Sequence, residues 1–226
     1  MIKKQNQLLC DEQLRQHITH NLEQFSVQTQ TVTGARKAAV ALTIVDFGLD
    51  AGVYGMTTRG LSAGAAALIL TFRAPRLRRH ASQWALPGGR REDGEAPEDA
   101  ALRELSEEVG LGLDRISVLG RLDDFATRSG YVITPVVVWG GAAETLRPNP
   151  AEVESIHRIP VAEFMRPDAP IIEDTGNSTS PLILMPVGNS WIAAPTAALL
   201  YQFREVAILG RATRVAHYEQ PSFAWR

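Results

Sequence analysis

In the stretch LPGGRREDGEAPEDAALRELSEEVGL, residues 86–111, Glu104, Glu107 and Glu108 fall within little more than one helical turn. Pro97 suits a first helical position, Glu98 and Asp99 complement the positive end of the helix dipole, and Gly110 supplies the stop. Helical spacing puts Ala101, Leu102, Leu105 and Val109 on one side, with the glutamates together beside them. A solvated acidic face is the plain alternative. However, like charges at i,i+4, such as Glu104 and Glu108, cost about 0.2–0.5 kcal/mol per pair, and within this helix only Arg103 stands close enough to offset them. A divalent cation relieves that repulsion directly. Mg²⁺ and Mn²⁺ prefer carboxylate and water oxygens, and Mg²⁺ commonly combines few protein ligands with substrate phosphates. Just before the helix, Gly88 and Gly89 let the backbone turn tightly and approach a ligand, near a helix N-terminus that favours anions.

The elements that must hold this helix follow from pattern. Leu14, Ile18, Leu22 and Phe25 are spaced as one face of an amphipathic helix over residues 11–25. ARKAAVALTIVDF reads as a first strand, and glycines at 48, 52, 55, 60 and 64 mark a long loop after it. AAALILTFRAP, ISVLGRLDDF, YVITPVVVWGG, EVESIHRIPV and PLILMPVG are further β-rich segments, and PTAALLYQFREVAIL is a closing helix running to Gly210. Strands flanking one helix, with a second helix at the end, predict an α/β layered domain. A length of 226 residues suits one core. The net charge of −2, with acidic and basic residues mixed along the chain, offers no nucleic-acid footprint, so a small-molecule partner is expected. Cys10, the single cysteine, excludes an intramolecular disulfide framework and reads as an incidental thiol. Neither a signal peptide nor an apolar run of about 18 residues is visible, so a cytoplasmic protein without a membrane partner is expected.

Gly89, Glu95, Arg103-Glu104-Leu105, Glu107-Glu108 and Gly110-Leu111 fit G-x5-E-x7-R-E-U-x-E-E-x-G-U without a mismatch, U being a bulky aliphatic. This resembles the Nudix box. The resemblance implies a Nudix fold, an α/β/α sandwich around a mixed β-sheet, and hydrolysis of a nucleoside diphosphate linked to a further group. It covers residues 37–210 as the Nudix hydrolase domain, leaving residues 1–36 as an N-terminal helical extension and 211–226 as a C-terminal tail. Carried over by position, Glu104, Glu107 and Glu108 are implied metal ligands for Mg²⁺ or Mn²⁺, joined by the Gly89 carbonyl, with Glu108 the first choice for the indispensable one. Glu95 would pair with Arg103 and brace the loop against the helix. The general base in such a fold is a box glutamate or an acidic residue on a later loop. Glu152, in NPAEVESIHRIP, is similar to the latter.

Upstream, LTFRAPRLRRHASQWALPGG is similar to the signature of coenzyme A pyrophosphatases, L-T-x-R-[SA]-x3-R-x3-G-x3-F-P-G-G. Leu70, Thr71, Arg73, Ala74, Arg78, Pro87, Gly88 and Gly89 match it, while Ser82 replaces a glycine and Leu86 a phenylalanine. Independently, Arg73, Arg76, Arg78, Arg79 and His80 concentrate positive charge beside the acidic face, suited to a ligand with phosphates beyond the diphosphate. The expected substrate contacts are Arg73, Arg78 and Gly88. The implied reaction splits coenzyme A or an acyl derivative into 3′,5′-ADP and (acyl-)4′-phosphopantetheine. Rival readings are a Nudix hydrolase of ADP-ribose or NADH, a non-catalytic nucleotide-binding Nudix module, and RNA-end processing, to which the basic, aromatic tail is mildly suited. Trp84 and Trp139 read as core residues rather than stacking platforms. The N-terminal and closing helices are candidate surfaces for a homodimer.

Overall fold

The structure is a computed structural model and describes residues 8–48, 61–76, 83–143, 145–174 and 180–221. Most of the glycine-rich stretch at 48–64, and with it that loop reading, lies outside these residues, as do Arg78, Arg79, His80 and Ser82.

Helix α1 (Glu12–Glu23) begins where Asp11 accepts a hydrogen bond from the Leu14 amide at 2.9 Å. Its apolar stripe of Leu14, Ile18 and Leu22 is buried. Strands β1 (Arg36–Asp46) and β2 (Ala66–Arg73) follow, then the short β3 (Trp84–Ala85) and β4 (Gly88–Arg90). Helix α2 (Pro97–Val109) starts at Pro97 and stops at Gly110, whose φ of 71° is the left-handed conformation that glycine adopts without strain. Strands β5 (Val118–Arg121), β6 (Phe125–Ala126), β7 (Tyr131–Gly141) and β8 (Val153–Pro160) complete the main sheet. A short α3 (Val161–Phe164) leads to β9 (Ile171–Glu173), β10 (Leu182–Val187) and β11 (Ser190–Ala193), and α4 (Thr196–Phe203) closes the chain's regular structure.

The main sheet has eight strands in the path β3-β2-β1-β7-β5, with β4 paired to β1, β6 to β7 and β8 to β2. It is mixed: β1 and β7 run parallel while the other pairs are antiparallel. The parallel pair sits centrally and is apolar on both faces, as a strand covered from two sides must be. Strands β9 to β11 form a separate antiparallel sheet. Mixed sheet and flanking helices make this the α/β architecture expected. Among the described residues no helix is long and apolar enough to cross a membrane.

Three features were not legible as elements. Strands β3 and β4 are too short for any periodicity, and β9 and β11 take their strand form from pairing with β10. The closing helix does not run α-helically to its end: beyond Phe203, residues Arg204–Ile208 form a π-helical turn. That wider turn buries Val206, Ala207 and Ile208, while the Arg204 side chain donates to the Phe164 carbonyl at 3.2 Å. Finally, the partner of α1 is the end of the closing helix, which no pattern along the chain indicates. His17 Nε2 and Asn21 Nδ2 bond the carbonyls of Ile208 and Ala207 at 2.8 and 2.9 Å, and one apolar cluster runs continuously from Leu14 to Tyr218.

Ile18 is fully buried. Ile18→Ala is therefore expected to lower unfolding free energy by about 2–5 kcal/mol in urea titrations. A loss below about 1 kcal/mol would mean that α1 is an appendage rather than part of the core.

Candidate functional site

Strand β4 is the partition on which the site is built. Gly88 lies opposite Val40 and Gly89 opposite Ala39 on β1, so the two glycines face opposite sides of the sheet. A Cβ on Gly88 would stand 2.4 Å from the Ala39 carbonyl oxygen, which leaves room for hydrogen alone. A Cβ on Gly89 would meet the Glu104 carboxylate at 2.4 Å, so glycine there lets that carboxylate lie against the strand backbone.

On the α2 side, the Gly88 amide donates to Glu108 Oε2 at 3.1 Å, and Arg73 Nη1 stands 3.9 Å from Glu108 Oε1. The Glu108 carboxyl is buried. Burial pushes its pKa up to about 7, with the charges of Glu104 and Glu152 adding to the rise and the Gly88 amide and Arg73 opposing it. Burial likewise raises Glu104, against the pull of Arg103. The sequence placed Glu108 beside the core face. The fold turns it inward among Ala101, Leu105 and Val109, because helical spacing leaves it nearest the buried stripe.

Arg103 has several partners. Its Nε and Nη2 donate to the two Glu95 oxygens at 2.9 and 3.1 Å, and Nη2 also reaches the Arg90 carbonyl at 3.1 Å. The bidentate contact holds the Glu95 carboxyl below its usual range. Glu95 in turn accepts from the Glu92 amide at 2.8 Å, which ties the loop between β4 and α2 to the helix. Meanwhile Arg103 Nη1 donates to Glu104 at 2.8 Å and to Glu107 at 3.2 Å. Glu107 is more than half exposed. With Arg103 between two of these carboxylates, no three His, Cys, Asp or Glu side chains among the described residues converge on one point. The donor chemistry nonetheless fits a hard divalent cation. The buried Glu108 has Arg73 only at 3.9 Å, its charge and that of the half-buried Glu104 oppose each other, and the Gly89 backbone lies against Glu104.

Glu152 is exposed and precedes β8; its carbonyl accepts from the Ala74 amide at 2.9 Å, and its charge acts on both Glu104 and Glu108. The loop before it is fixed on the end of α2, where the Arg147 and Asn149 amides donate to the Val109 and Glu108 carbonyls at 2.9 Å each. Arg76 donates to the Pro150 carbonyl. His157 bonds Ser155 at 2.8 Å and packs its ring against Trp84, and burial lowers its pKa. Burial, with Asp46 and Asp11 adding to it, pushes the Cys10 thiol up to about 12, consistent with an inert side chain.

On the other face of β4 a cavity of about 710 Å³ opens, with Arg73, Gly88, Gly89 and Arg90 along its border with the glutamates. Trp84 lines it, contrary to the core reading of that residue. As half of a two-residue strand, Trp84 is only partly covered, by Phe72 and His157. Trp139 is partly buried against the main core. Trp191, Tyr131 and Gln220, also in the lining, carried no motif and come together only through the fold. Leu86, which stands where the resembling pattern has phenylalanine, is buried at the cavity wall. Within the tail, Val215 and Tyr218 are buried and Gln220, which lines the cavity, donates to the Ala126 carbonyl at 3.2 Å, while Phe223, Trp225 and Arg226 lie outside the described residues.

A mixed sheet carrying a glycine strand against a glutamate helix defines a class, and the comparisons agree. The chain matches the NUDIX domain model over residues 50–176 and belongs to that family. It is 40% identical over 103 residues to an uncharacterised Nudix hydrolase, NudL, of Photorhabdus laumondii, a match covering 43% of this chain and 53% of the relative. A NudL of Yersinia pestis is 40% identical over 99 residues, covering 43% of this chain and 50% of the relative. The chain thus spans about half the length of the curated relatives it matches. A solved MutT/nudix family protein of Enterococcus faecalis superposes with a TM-score of 0.52 at 16% identity, covering 88% of this chain and 72% of that one, which is a likeness of fold.

The buried Glu108 makes a signed prediction for the metal-free protein. Below about pH 4.5 both folded and unfolded states carry the proton, so Glu108 is neutral to stability. Between about pH 4.5 and 7 the unfolded chain loses it first, and stability falls as pH rises; above pH 7 the loss is complete. Glu108→Gln removes this penalty and is expected to be more stable than the parent at pH 8 by up to about 3 kcal/mol in chelator. Equal stability of the two proteins at pH 8 and pH 4 would refute the assignment.

Proposed function

We propose that the protein is a metal-dependent pyrophosphohydrolase that cleaves the diphosphate of coenzyme A or acyl-coenzyme A. The observation that carries this reading is the position of β4. One short glycine strand separates buried carboxylates from a cavity large enough for the rest of a nucleotide-sized ligand, with Arg73 at their shared edge. The coenzyme A assignment rests further on the sequence positions around Arg73 and Arg78 and on the arginine-rich segment.

In this proposal Glu104, Glu107, Glu108 and the Gly89 carbonyl hold Mg²⁺ or Mn²⁺. Such an ion, when bound, neutralises the diphosphate and lowers the pKa of a water. The chain's own contribution is mainly positioning. Gly88 and Gly89 let β4 pack directly against the β1 backbone and the Glu104 carboxylate, which sets the strand backbone beside the glutamates that would hold the ion. Arg73 and Arg78 take up phosphate charge that water would otherwise screen. The Glu95–Arg103 pair keeps the loop registered on α2, so that the glutamates and the glycines move as one body. Glu152 is the proposed general base: an exposed carboxylate whose field reaches Glu104 and Glu108 can accept a proton from water without giving up a ligand position. The water oxygen bonds to one phosphorus, the anhydride P–O bond breaks, and 3′,5′-ADP and (acyl-)4′-phosphopantetheine leave.

Mass spectrometry of products from equal concentrations of coenzyme A, ADP-ribose and NADH, with Mg²⁺ or Mn²⁺, tests the assignment. Expected are 3′,5′-ADP and 4′-phosphopantetheine as dominant products, lost by at least a hundredfold in Glu108→Gln. Cleavage of ADP-ribose or NADH alone would leave the metal chemistry standing and refute the coenzyme A assignment. A melting shift with Mn²⁺ in the parent that is absent from Glu108→Gln supplies a readout independent of turnover.

A further inference from the structure

We infer that the cavity beyond β4 receives the acyl-pantetheine arm of the substrate, and that Trp191 sets the preference among acyl groups. This rests on the coenzyme A reading above and adds a location and a residue to it.

The charge of the cavity is one-sided. Among the described residues in its lining, the charged ones are Arg73 and Arg90, and no acidic side chain contributes. Arg90 ends β4 and Arg73 reaches toward Glu108, so both stand at the border with the glutamates. Away from that border the walls are uncharged: Val40, Phe72 and Ile133 from the main sheet face Trp191, Pro195 and Leu199 from β11 and the start of α4, with Thr127, Ser129, Tyr131, Thr196 and Gln220 adding hydrogen-bonding groups. A ligand matched to this distribution has a strongly anionic middle and an uncharged extension that carries both amide-like hydrogen-bonding groups and apolar surface. The acyl-pantetheine arm has that character.

Size points the same way. A volume of about 710 Å³ is that of a site for a drug-sized group, enough to hold a pantetheine arm with a short acyl chain. Trp191 is the second observation. It is 49% exposed while its neighbour Ile192, which also borders the cavity, is buried, so indole surface is held at the cavity by a short strand paired to β10. Indole surface of this kind gains most from an apolar ligand laid over it. The wall that carries it, residues 190–199, lies beyond the stretch 50–176 that matches the family model, so the glutamate machinery and the arm-binding wall are separate parts of the chain.

The test is a series of acetyl-, butyryl-, hexanoyl- and octanoyl-coenzyme A beside free coenzyme A. In the parent protein KM is expected to fall with chain length, by up to about fourfold per methylene, the factor corresponding to about 0.8 kcal/mol. In Trp191→Ala the ratio of kcat/KM for octanoyl-coenzyme A to that for coenzyme A should drop about tenfold, with Trp191→Phe restoring most of it. A flat series in the parent overturns the inference even if the alanine variant fails to fold. So does an unchanged ratio in a folded Trp191→Ala, the result that an adenosine half seated in the cavity would give. If no coenzyme A derivative is cut while ADP-ribose or NADH is, the substrate reading fails and the inference falls with it.

Discussion

Everything at this site depends on how closely β4 can approach its neighbours. Gly88 packs against the β1 backbone and Gly89 against a carboxylate, and neither contact leaves space for a Cβ. Replace either glycine by a bulkier residue and the strand must move away from β1 or the glutamate away from the strand. The first shift would open the gap through which the Gly88 amide reaches Glu108, and the second would release Glu104 from the strand. The narrowness of the partition also lets one short strand serve two chemistries, carboxylate on one side and apolar cavity on the other.

The electrostatics follow from that approach. Placing Glu108 in the core face of α2 costs stability, because a carboxylate without a full counter-charge is poorly solvated there. Arg73 is too distant to cancel the cost and Arg103 is engaged elsewhere. Such an arrangement is unfavourable for folding alone and favourable for capturing a cation, which is the usual relation between a stable fold and a reactive site. Arg103 mediates between the two demands: it holds Glu95 strongly and shares a single nitrogen between Glu104 and Glu107, contacts that a competing cation can replace.

The periphery is integrated with this centre. The N-terminal helix is bonded to the π-helical turn at the end of the closing helix, and residues 211–221 return to the loop around Ala126 that borders the cavity. Asp123 gathers several of these segments, accepting from Arg214 at 2.6 Å, from the Gln28 amide at 2.7 Å and from Gln202 at 2.8 Å. Segments that read as an extension and a tail are therefore bonded into the body, and the tail reaches the cavity through Gln220.

The sequence by itself determined the glutamate helix, its limits at Pro97 and Gly110, the glycine pair before it and most of the long strands. These rest on local rules: helical spacing, the conformations open to proline and glycine, and runs of apolar residues. Only the tertiary structure decided that Glu108 is buried and that Trp84 and Trp191 line a common cavity, whereas the pairing of Arg103 with Glu95 and with the neighbouring glutamates was already expected from the sequence. Burial depends on what packs across from a residue, and β3, β4 and β11 are strands because of their partners. Residues more than a hundred positions apart meet at that cavity. No pattern along the chain carries that meeting, because the residues come from strands of two separate sheets.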